Sequence, residues 1–218
     1  MATTADAIVC TSDRLFNRLA RQYPTKRLAL IRNAYDPDMR LHLPGEPDVL
    51  QIPEDLPAGP TLGYIGAWAP WIDPNLVTRL AREQRGARVV VIGPEFGRKF
   101  LPSRVGLHFL GMKPHHLLPG YLRLMDVCLI PFRLNPLTLA TNPVKAYEYL
   151  AAGKPVISSD LPECRLMQPF VDVASSPEEF LKLTAARLRD PGDSEARRQF
   201  ALQHTWAHRV QEIEEFVF

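Results

Sequence analysis

The chain has 218 residues with 26 basic and 24 acidic side chains, so its formal charge is only +2. Such a small charge gives no electrostatic reason to expect binding to a nucleic-acid backbone. Hydrophobic residues make up 46% and charged residues 23%, as in folded proteins, which excludes a mainly disordered chain. No run approaches eighteen apolar residues, and the N-terminus lacks a basic segment followed by an apolar one. The sequence therefore predicts neither a transmembrane segment nor a secretory signal.

The chain has an odd number of cysteines, Cys10, Cys128 and Cys164. Cys10 and Cys128 lie in short apolar runs typical of buried strands, so we expect thiols and no disulfide framework. Thiols favour a reducing compartment, and we therefore predict a cytoplasmic location.

Proline is unusually frequent in this chain: 21 of the 218 residues are prolines, nearly twice the usual share of about 5%. Their positions indicate how the chain is organised. Residues 37–60 are rich in proline and show no sustained periodicity, which predicts a linker and a domain boundary. Upstream, apolar runs at 7–10 and 28–31 flank a helical pattern capped by Asp13, which predicts a strand–helix–strand unit. That unit, residues 1–36, is too small to bury a core alone and must dock on other material.

Downstream of the linker, five apolar runs each end at a Gly, Pro or Ser break, which is typical of parallel strands buried on both faces. These runs begin at Leu62, Val89, Leu107, Val127 and Val156, with a sixth, weaker run at Phe170. Helices are predicted over 74–85, 115–124, 143–152 and 177–189, with one or two more over 194–218. The alternation predicts an α/β fold with a doubly wound parallel Rossmann-like sheet over 61–203 and terminal helices.

The most informative loop follows the run at 127–130, because ligands bind at the carboxyl ends of the strands in such a sheet. Asn142 suits an N-cap and Pro143 the first helical position, so we expect a helix to begin there. Its free N–H groups favour an anion, and Lys145 adds a full positive charge. Glu148 lies on the same face, about 4.5 Å further along the axis. This spacing indicates a diphosphate followed by a ribose, although an ordinary surface Lys–Glu pair fits the residues equally well.

The segment 141–163, TNPVKAYEYLAAGKPVISSDLPE, resembles the donor-binding helix and following strand of GT-B glycosyltransferases, a large group that includes bacterial polysaccharide transferases. The segments LGYIGAWAPWI, VVVIGP, VGLHFLG and MDVCLIPFRLN are similar to the other strand–loop units of that family's C-terminal domain, in the same order. The resemblance implies a transferase that takes a sugar from a nucleoside diphosphate donor, UDP- or GDP-linked, with no metal or other cofactor. The acceptor is unknown.

The same resemblance implies a set of donor-binding residues. Lys145 matches a diphosphate contact and Glu148 the glutamate that holds the ribose hydroxyls. The loop at Gly66 and Ala67 would approach the phosphates, and the turn of Gly111, Met112 and Lys113 would lie near the base. Thr141 and Asn142 complete the set, and no catalytic residue is assigned.

The sequence departs from the family pattern at two places. Many members carry a glutamate eight positions before the ribose glutamate, where Ala140 stands here. Many also carry an Arg and a Lys after the first strand of this domain, where this sequence has Trp68, Pro70 and Trp71. The donor sugar is therefore not inferred, and the two tryptophans fit either stacking on a sugar or base, or burial against another domain.

Family members have two Rossmann-like domains of similar size, and residues 1–36 resemble the end of the N-terminal, acceptor-binding one. Residues 204–218 resemble the tail that packs back on that domain. The resemblance implies that catalysis needs a full acceptor domain. A second chain could supply that domain, or the chain could self-associate. The expected location is the cytoplasm, either free or at the inner face of a membrane. Two alternatives stay open: a non-catalytic nucleotide-sugar-binding subunit or scaffold, and a nucleotide-sugar epimerase.

Two further groups of side chains carry weaker signals. His204, His208 and Glu212 recur at helical spacing, but a solvated polar face explains them better than a metal does, so we expect no metal site. Asp160 and Glu163 follow the fifth strand and could face the donor sugar, although a turn-capping role suits Asp160 better.

Overall fold

A computed structural model gives the structure of the chain and describes residues 3–39, 41, 55–101 and 106–218. The strands are β1 (Ala7–Cys10), β2 (Arg27–Leu30), β3 (Thr61–Ile65), β4 (Arg88–Ile92), β5 (Leu107–Gly111), β6 (Val127–Ile130), β7 (Val156–Ser159) and β8 (Val171–Ala174). The α-helices are α1 (Asp13–Gln22), α2 (Pro74–Glu83), α3 (Leu118–Leu124), α4 (Val144–Ala151), α5 (Pro162–Arg165), α6 (Pro177–Arg189), α7 (Ser194–Leu202) and α8 (Trp206–Val217). Each predicted strand is present, with its ends shifted by no more than two residues.

The predicted helix over 115–124 is two elements, a 3-10 turn at His115–Leu117 followed by α3. Pro119 lacks an N–H, so an α-helical bond to the carbonyl of His115 cannot form there. The N–H of Leu118 bonds to that carbonyl instead, which gives the tighter 3-10 geometry.

Strands β3 to β8 form one parallel sheet in the order β5-β4-β3-β6-β7-β8. The chain moves outward from β3 to β5 and then returns to the other side of β3 through β6. The direction of winding therefore reverses between β3 and β6, and this reversal opens a crevice at the carboxyl ends of these two strands. The topology confirms the doubly wound Rossmann-like α/β fold.

The core lies between this sheet and its helices. Every residue of β6 is buried, and Leu62, Leu129 and Ile157 are fully inaccessible. Each such side chain stabilises the fold by about 1.5–3 kcal/mol relative to exposure. Cys10, Cys128 and Cys164 are buried free thiols, as the sequence predicts for the first two.

Strands β1 and β2 form a separate two-stranded parallel sheet with α1 packed against it. We call residues 3–36 the N-terminal unit. The expectation that Asp13 caps α1 was wrong: Ser12 is the N-cap, because its Oγ accepts from the N–H of Leu15 at 3.3 Å. Asp13 is instead the first helical residue, where a negative charge is favourable.

The last helix contacts the N-terminal unit. The N–H of Trp206 donates to the carbonyl of Tyr35 at 3.0 Å, and the guanidinium of Arg27 lies 5.1 Å from the centre of the Phe216 ring. The division into 1–36, 37–60, 61–203 and 204–218 stays a prediction, and most of the linker lies outside the described residues. Of the helices described here, none is long and apolar enough to cross a membrane.

Candidate functional site

Three glycines lie at the carboxyl ends of β3, β4 and β5, and we call Gly66, Gly93 and Gly111 the glycine edge. Their φ angles are 148°, 147° and 67°, a region that side-chain-bearing residues rarely adopt. A Cβ atom on Gly93 would lie 2.1 Å from the carbonyl oxygen of Gly66, so only glycine permits this approach. The N–H of Gly93 donates to the carbonyl of Gly111 at 2.8 Å. The backbones of Gly66, Gly93 and Gly111 therefore lie side by side.

Ala67 adds a hydrogen-bond donor next to the glycine edge. Its carbonyl accepts from the hydroxyl of Tyr64 at 3.1 Å, whereas its N–H has no acceptor among the residues that the structure describes. A loop N–H without a protein partner can donate to an anion. The predicted phosphate loop at Gly66 and Ala67 thus lies at the crevice.

Helix α4 begins at Val144, and Pro143 is its N-cap residue with extended φ and ψ of −79° and 112°. The prediction that Asn142 caps this helix was wrong, because its Oδ1 accepts from the N–H of Asn33 at 2.9 Å. Within the described ranges, the N–H groups of Val144 and Lys145 have no acceptor. The start of α4 therefore keeps the free donors that suit an anion.

Lys145 is half-buried above two aromatic rings beside this helix start. Its Nζ lies 5.4 Å from the centre of the Tyr64 ring and 5.2 Å from that of Phe132, a cation–π arrangement. Its Cε lies 3.2 Å from where a Cβ on Gly66 would be, so the lysine reaches the glycine edge. Burial lowers the pKa of Lys145, and the nearby Glu148 charge opposes that shift. No side-chain or backbone oxygen of a described residue accepts a hydrogen bond from Nζ.

Glu148 lies one turn further along α4 and is also half-buried. Burial raises its pKa, whereas the charges of Lys145 and His115 act in the opposite direction. Its carboxylate forms neither an ion pair nor a hydrogen bond with any side chain that the structure describes. Lys145 and Glu148 therefore influence each other without being the ordinary surface pair that the sequence left open.

The turn after β5 stands at the far side of the glycine edge. Met112 is 77% exposed, but Lys113 is engaged: its Nζ forms an ion pair with Asp55 Oδ2 at 2.5 Å. The hydroxyl of Tyr121 donates to the other oxygen of Asp55 at 2.8 Å. The Lys113 charge therefore secures the end of the predicted linker, and the backbone of the turn and Met112 are the groups open to a ligand.

Two predicted residues next to the site bond to residues close in the sequence, and Asp160 does so in an ion pair and not as the expected turn cap. The Thr141 hydroxyl donates to the carbonyl of Leu137 at 2.9 Å, which leaves its oxygen as an acceptor. Asp160 Oδ1 accepts from the Nε of Arg165 at 2.5 Å and so forms an ion pair.

Trp68 takes neither of the roles considered from the sequence, whereas for Trp71 both roles stay predictions. Trp68 is fully buried, its Nε1 donates to the carbonyl of Lys99 at 2.9 Å, and its ring meets Phe109 edge-on at 5.1 Å. It belongs to the core of the large sheet's own domain. Trp71 is half-buried, with its ring centre 5.7 Å from that of Phe96.

The residues of the possible metal stripe bond to their neighbours. His204 precedes α8, and its Nδ1 lies 3.0 Å from one guanidinium nitrogen of Arg209. Another nitrogen of the same guanidinium forms an ion pair with Glu212 at 2.7 Å. His208 Nδ1 lies 3.1 Å from the hydroxyl oxygen of Thr205. In the part of the chain that the structure describes, no group of three His, Cys, Asp or Glu side chains could hold a metal ion.

Sequence reasoning missed the aromatic floor of the crevice, formed by Tyr64, Phe132 and Tyr149. The Tyr149 hydroxyl accepts from the N–H of Ile65 at 2.8 Å, which ties α4 to the end of β3. Burial raises the pKa of Tyr149, so its hydroxyl stays protonated. The one available signal was position, since Tyr64 and Phe132 lie near the carboxyl ends of the two central strands.

The comparisons with known proteins agree with this geometry. A family model described as "Glycosyl transferases group 1" matches residues 59–189, more than half of the chain. A Bacillus subtilis (strain 168) protein assigned to teichuronic acid biosynthesis as glycosyltransferase TuaH is 27% identical, over 93% of this chain and 54% of its own length.

Solved structures share the fold at low sequence identity. HepE from Anabaena, in complex with UDP and glucose, has a TM-score of 0.73 at 15% identity, covering 97% of this chain and 62% of HepE. Sucrose-phosphate synthase from Thermosynechococcus elongatus has a TM-score of 0.69 at 18% identity, covering 97% of this chain and 57% of the synthase. The chain thus spans little more than half the length of these relatives. It belongs to the group 1 glycosyl transferases and has a GT-B-type fold.

Proposed function

We propose that this chain is the donor-binding half of a glycosyltransferase, which holds a nucleoside diphosphate sugar for transfer to an acceptor. One observation carries the proposal: Lys145 and Glu148 are half-buried beside the β3/β6 crevice, without ion-pair partners among the described side chains. A buried charge without a protein partner is costly. An anionic ligand at the lysine and hydroxyl groups at the carboxylate would supply the missing partners.

Each part of the donor has a counterpart in the crevice. The diphosphate lies between the Lys145 ammonium, the Ala67 N–H and the start of α4, and the glycine edge gives it room. The ribose hydroxyls donate to the Glu148 carboxylate. The base lies against the turn that contains Met112.

The chain's chemical contribution is to stabilise the leaving group. In the transfer, the bond between the sugar C1 and the terminal phosphate oxygen breaks, and an acceptor oxygen bonds to C1 and loses its proton. The nucleoside diphosphate leaves with additional negative charge. Lys145 and the free N–H groups at the crevice are placed to stabilise that charge in a half-buried site.

The proposed site needs no metal ion, because the lysine and backbone donors supply the positive potential. EDTA should leave nucleotide affinity unchanged, and an affinity restored only by Mg²⁺ or Mn²⁺ would contradict this point.

A uracil donor is supported by the UDP bound in the HepE structure, and GDP-linked donors are the second candidates.

The acceptor and the remaining catalytic groups come from beyond the donor half. We place the protein at the cytoplasmic face of a membrane. Support comes from Arg14, Arg18 and Arg21, which are exposed on one face of α1 and have no ion-pair partner among the described residues. Each would add about 1 kcal/mol of attraction to anionic lipid. The chain should co-sediment with phosphatidylcholine vesicles that contain phosphatidylglycerol, and it should not co-sediment with vesicles of phosphatidylcholine alone.

A thermal-shift screen with nucleoside diphosphates and their sugars tests the function directly. A ligand at 100 times its Kd should stabilise the fold by about 2.7 kcal/mol. We expect a shift with UDP and UDP-sugars, or with the guanine series, and none with the free sugars. Absence of a shift with every nucleotide would refute the proposal. A shift accompanied by isomerised donor would favour the epimerase instead.

A further inference from the structure

Glu163 is a buried carboxylate that the proposed donor site does not use. Its side chain is only 1% exposed, and burial of a carboxylate is costly unless it is paired and hydrogen-bonded. Its Oε2 accepts from the Nε of Arg32 at 2.8 Å, and its Oε1 accepts from the backbone N–H of Asp13 at 3.0 Å. Both donors belong to the N-terminal unit, so Glu163 holds that unit against α5.

Asn142 connects the same carboxylate to the loop that precedes α4. Its Nδ2 donates to Glu163 Oε2 at 3.1 Å and to the Tyr147 hydroxyl at 3.3 Å. Its Oδ1 accepts from the N–H of Asn33 at 2.9 Å, and its carbonyl accepts from the Asn33 side chain at 2.6 Å. The residue is 2% exposed, so its side chain is satisfied within the protein and is not presented to a ligand.

These contacts form one polar network, which we call the clamp: Arg32, Asn33, and the buried Asn142 and Glu163. A fully satisfied buried network fixes a single arrangement of the segments that it joins. Here it joins the N-terminal unit to the loop that precedes α4 and to α5. A further bond between the same segments, from the Ser12 hydroxyl to the carbonyl of Ala140 at 2.8 Å, lies beside it.

We infer that Asn142 and Glu163 are positioning residues, which fix the start of α4 on the N-terminal unit and so couple nucleotide binding to the orientation of that unit. Helix α4 has no side-chain cap, and Lys145 follows Asn142 by three residues. The clamp therefore sets where the lysine stands. In the other direction, a nucleotide that fixes α4 also fixes the N-terminal unit. The inference rests on the proposed function, because it takes Lys145 and Glu148 as nucleotide contacts.

The variant Arg32→Gln tests the coupling, because it removes the ion pair of Arg32 with Glu163 and leaves the contact of Asn142 with Glu163 in place. We expect the affinity for UDP, with GDP as second probe, to fall about three- to tenfold. Arg27→Ala is the matched control, since it removes the contact of the N-terminal unit with Phe216 and leaves the clamp whole. Its affinity should stay within about twofold of wild type. If Arg32→Gln does not fold, Asn33→Ala replaces it.

Amide hydrogen exchange separates the outcomes. In the wild type, UDP should slow exchange in α4 and also in β1 and β2, whereas in Arg32→Gln saturating UDP should slow α4 alone. A wild type in which UDP protects α4 but not β1 and β2 overturns the coupling and leaves the proposed function intact. An Arg32→Gln protein that matches the wild type in affinity for UDP and in protection from exchange also overturns the coupling and leaves the proposed function intact. If neither UDP nor GDP protects α4, both the proposed function and this inference are wrong.

Discussion

Removal of the Glu148 carboxylate is the substitution with the most specific expected effect. A hydrogen bond to a charged carboxylate contributes about 1.5–3 kcal/mol, so Glu148→Ala should weaken UDP binding about ten- to a hundredfold. The structure supports the full range, because the carboxylate is half-buried and has no competing partner among the described side chains. A helix-surface pair with Lys145 would contribute only about 0.2–0.5 kcal/mol.

The assay is calorimetric titration of UDP, 2′-deoxy-UDP and 3′-deoxy-UDP against wild type and Glu148→Ala. Loss of a ribose hydroxyl should weaken binding to the wild type and have almost no effect on the variant, because the partner is already gone. Glu83→Ala is the matched control, since Glu83 is an exposed helical glutamate paired with Arg79 at 2.9 Å. Thermal unfolding without ligand must first show that Glu148→Ala is folded. Additive losses from the variant and the deoxy ligands would refute the assignment of Glu148 to the ribose.

Three further predictions follow from the crevice. Lys145→Met should weaken the binding of UDP more than the binding of uridine, because the lysine interacts with phosphate. The loss of UDP affinity should be about tenfold at low salt and smaller at high salt. Equal losses of affinity for both ligands, in titrations at two ionic strengths, would contradict this prediction. Gly93→Ala should lower the free energy of unfolding in urea by more than Gly86→Ala does. Both positions have positive φ, but a Cβ at Gly93 lies 2.1 Å from the Gly66 carbonyl oxygen, whereas one at Gly86 meets nothing within 4 Å. Equal destabilisation would mean that the close approach is unimportant. Finally, the raised pKa of Glu148 makes its carboxylate protonate at a higher pH than an ordinary glutamate, so the affinity for UDP-glucose should fall on acidification through that pKa. Glu148→Gln should not show this loss of affinity at acidic pH. An identical loss in both proteins would rule out Glu148 as its origin.

The sheet could be predicted from the sequence because its strands are buried on both faces. A fully buried strand such as β6 reads as an uninterrupted apolar run, and the breaks at Gly93 and Pro131 mark where such runs end. Short elements such as α5 gave no comparable signal, since four residues carry no helical periodicity. The capping of α1 was assigned one residue late, because Ser12 and Asp13 are both good N-cap residues.

The arrangement of the candidate site was predictable where its residues are close in the sequence. Lys145 and Glu148 lie on one helix, so their spacing alone places them together. Asn142 was misassigned as a cap because its true partners, Asn33 and Glu163, come from distant parts of the chain. Likewise, nothing near Trp68 in the sequence indicates burial. That burial depends on contacts with the loop after β4 and with β5.

Photoaffinity labelling tests the central claim, a nucleotide-sugar site at the β3/β6 crevice, most directly. A UDP-glucose analogue with an azide on the uracil ring is irradiated with the full chain, and the labelled peptides are mapped by mass spectrometry. The account predicts that the label falls on the turn at Met112 or the adjoining 3-10 turn at His115–Leu117, and that it is lost with excess UDP and in the Lys145→Met, Glu148→Ala double variant. A label that excess UDP does not remove, or one that maps to α1 or α8, would contradict the claim.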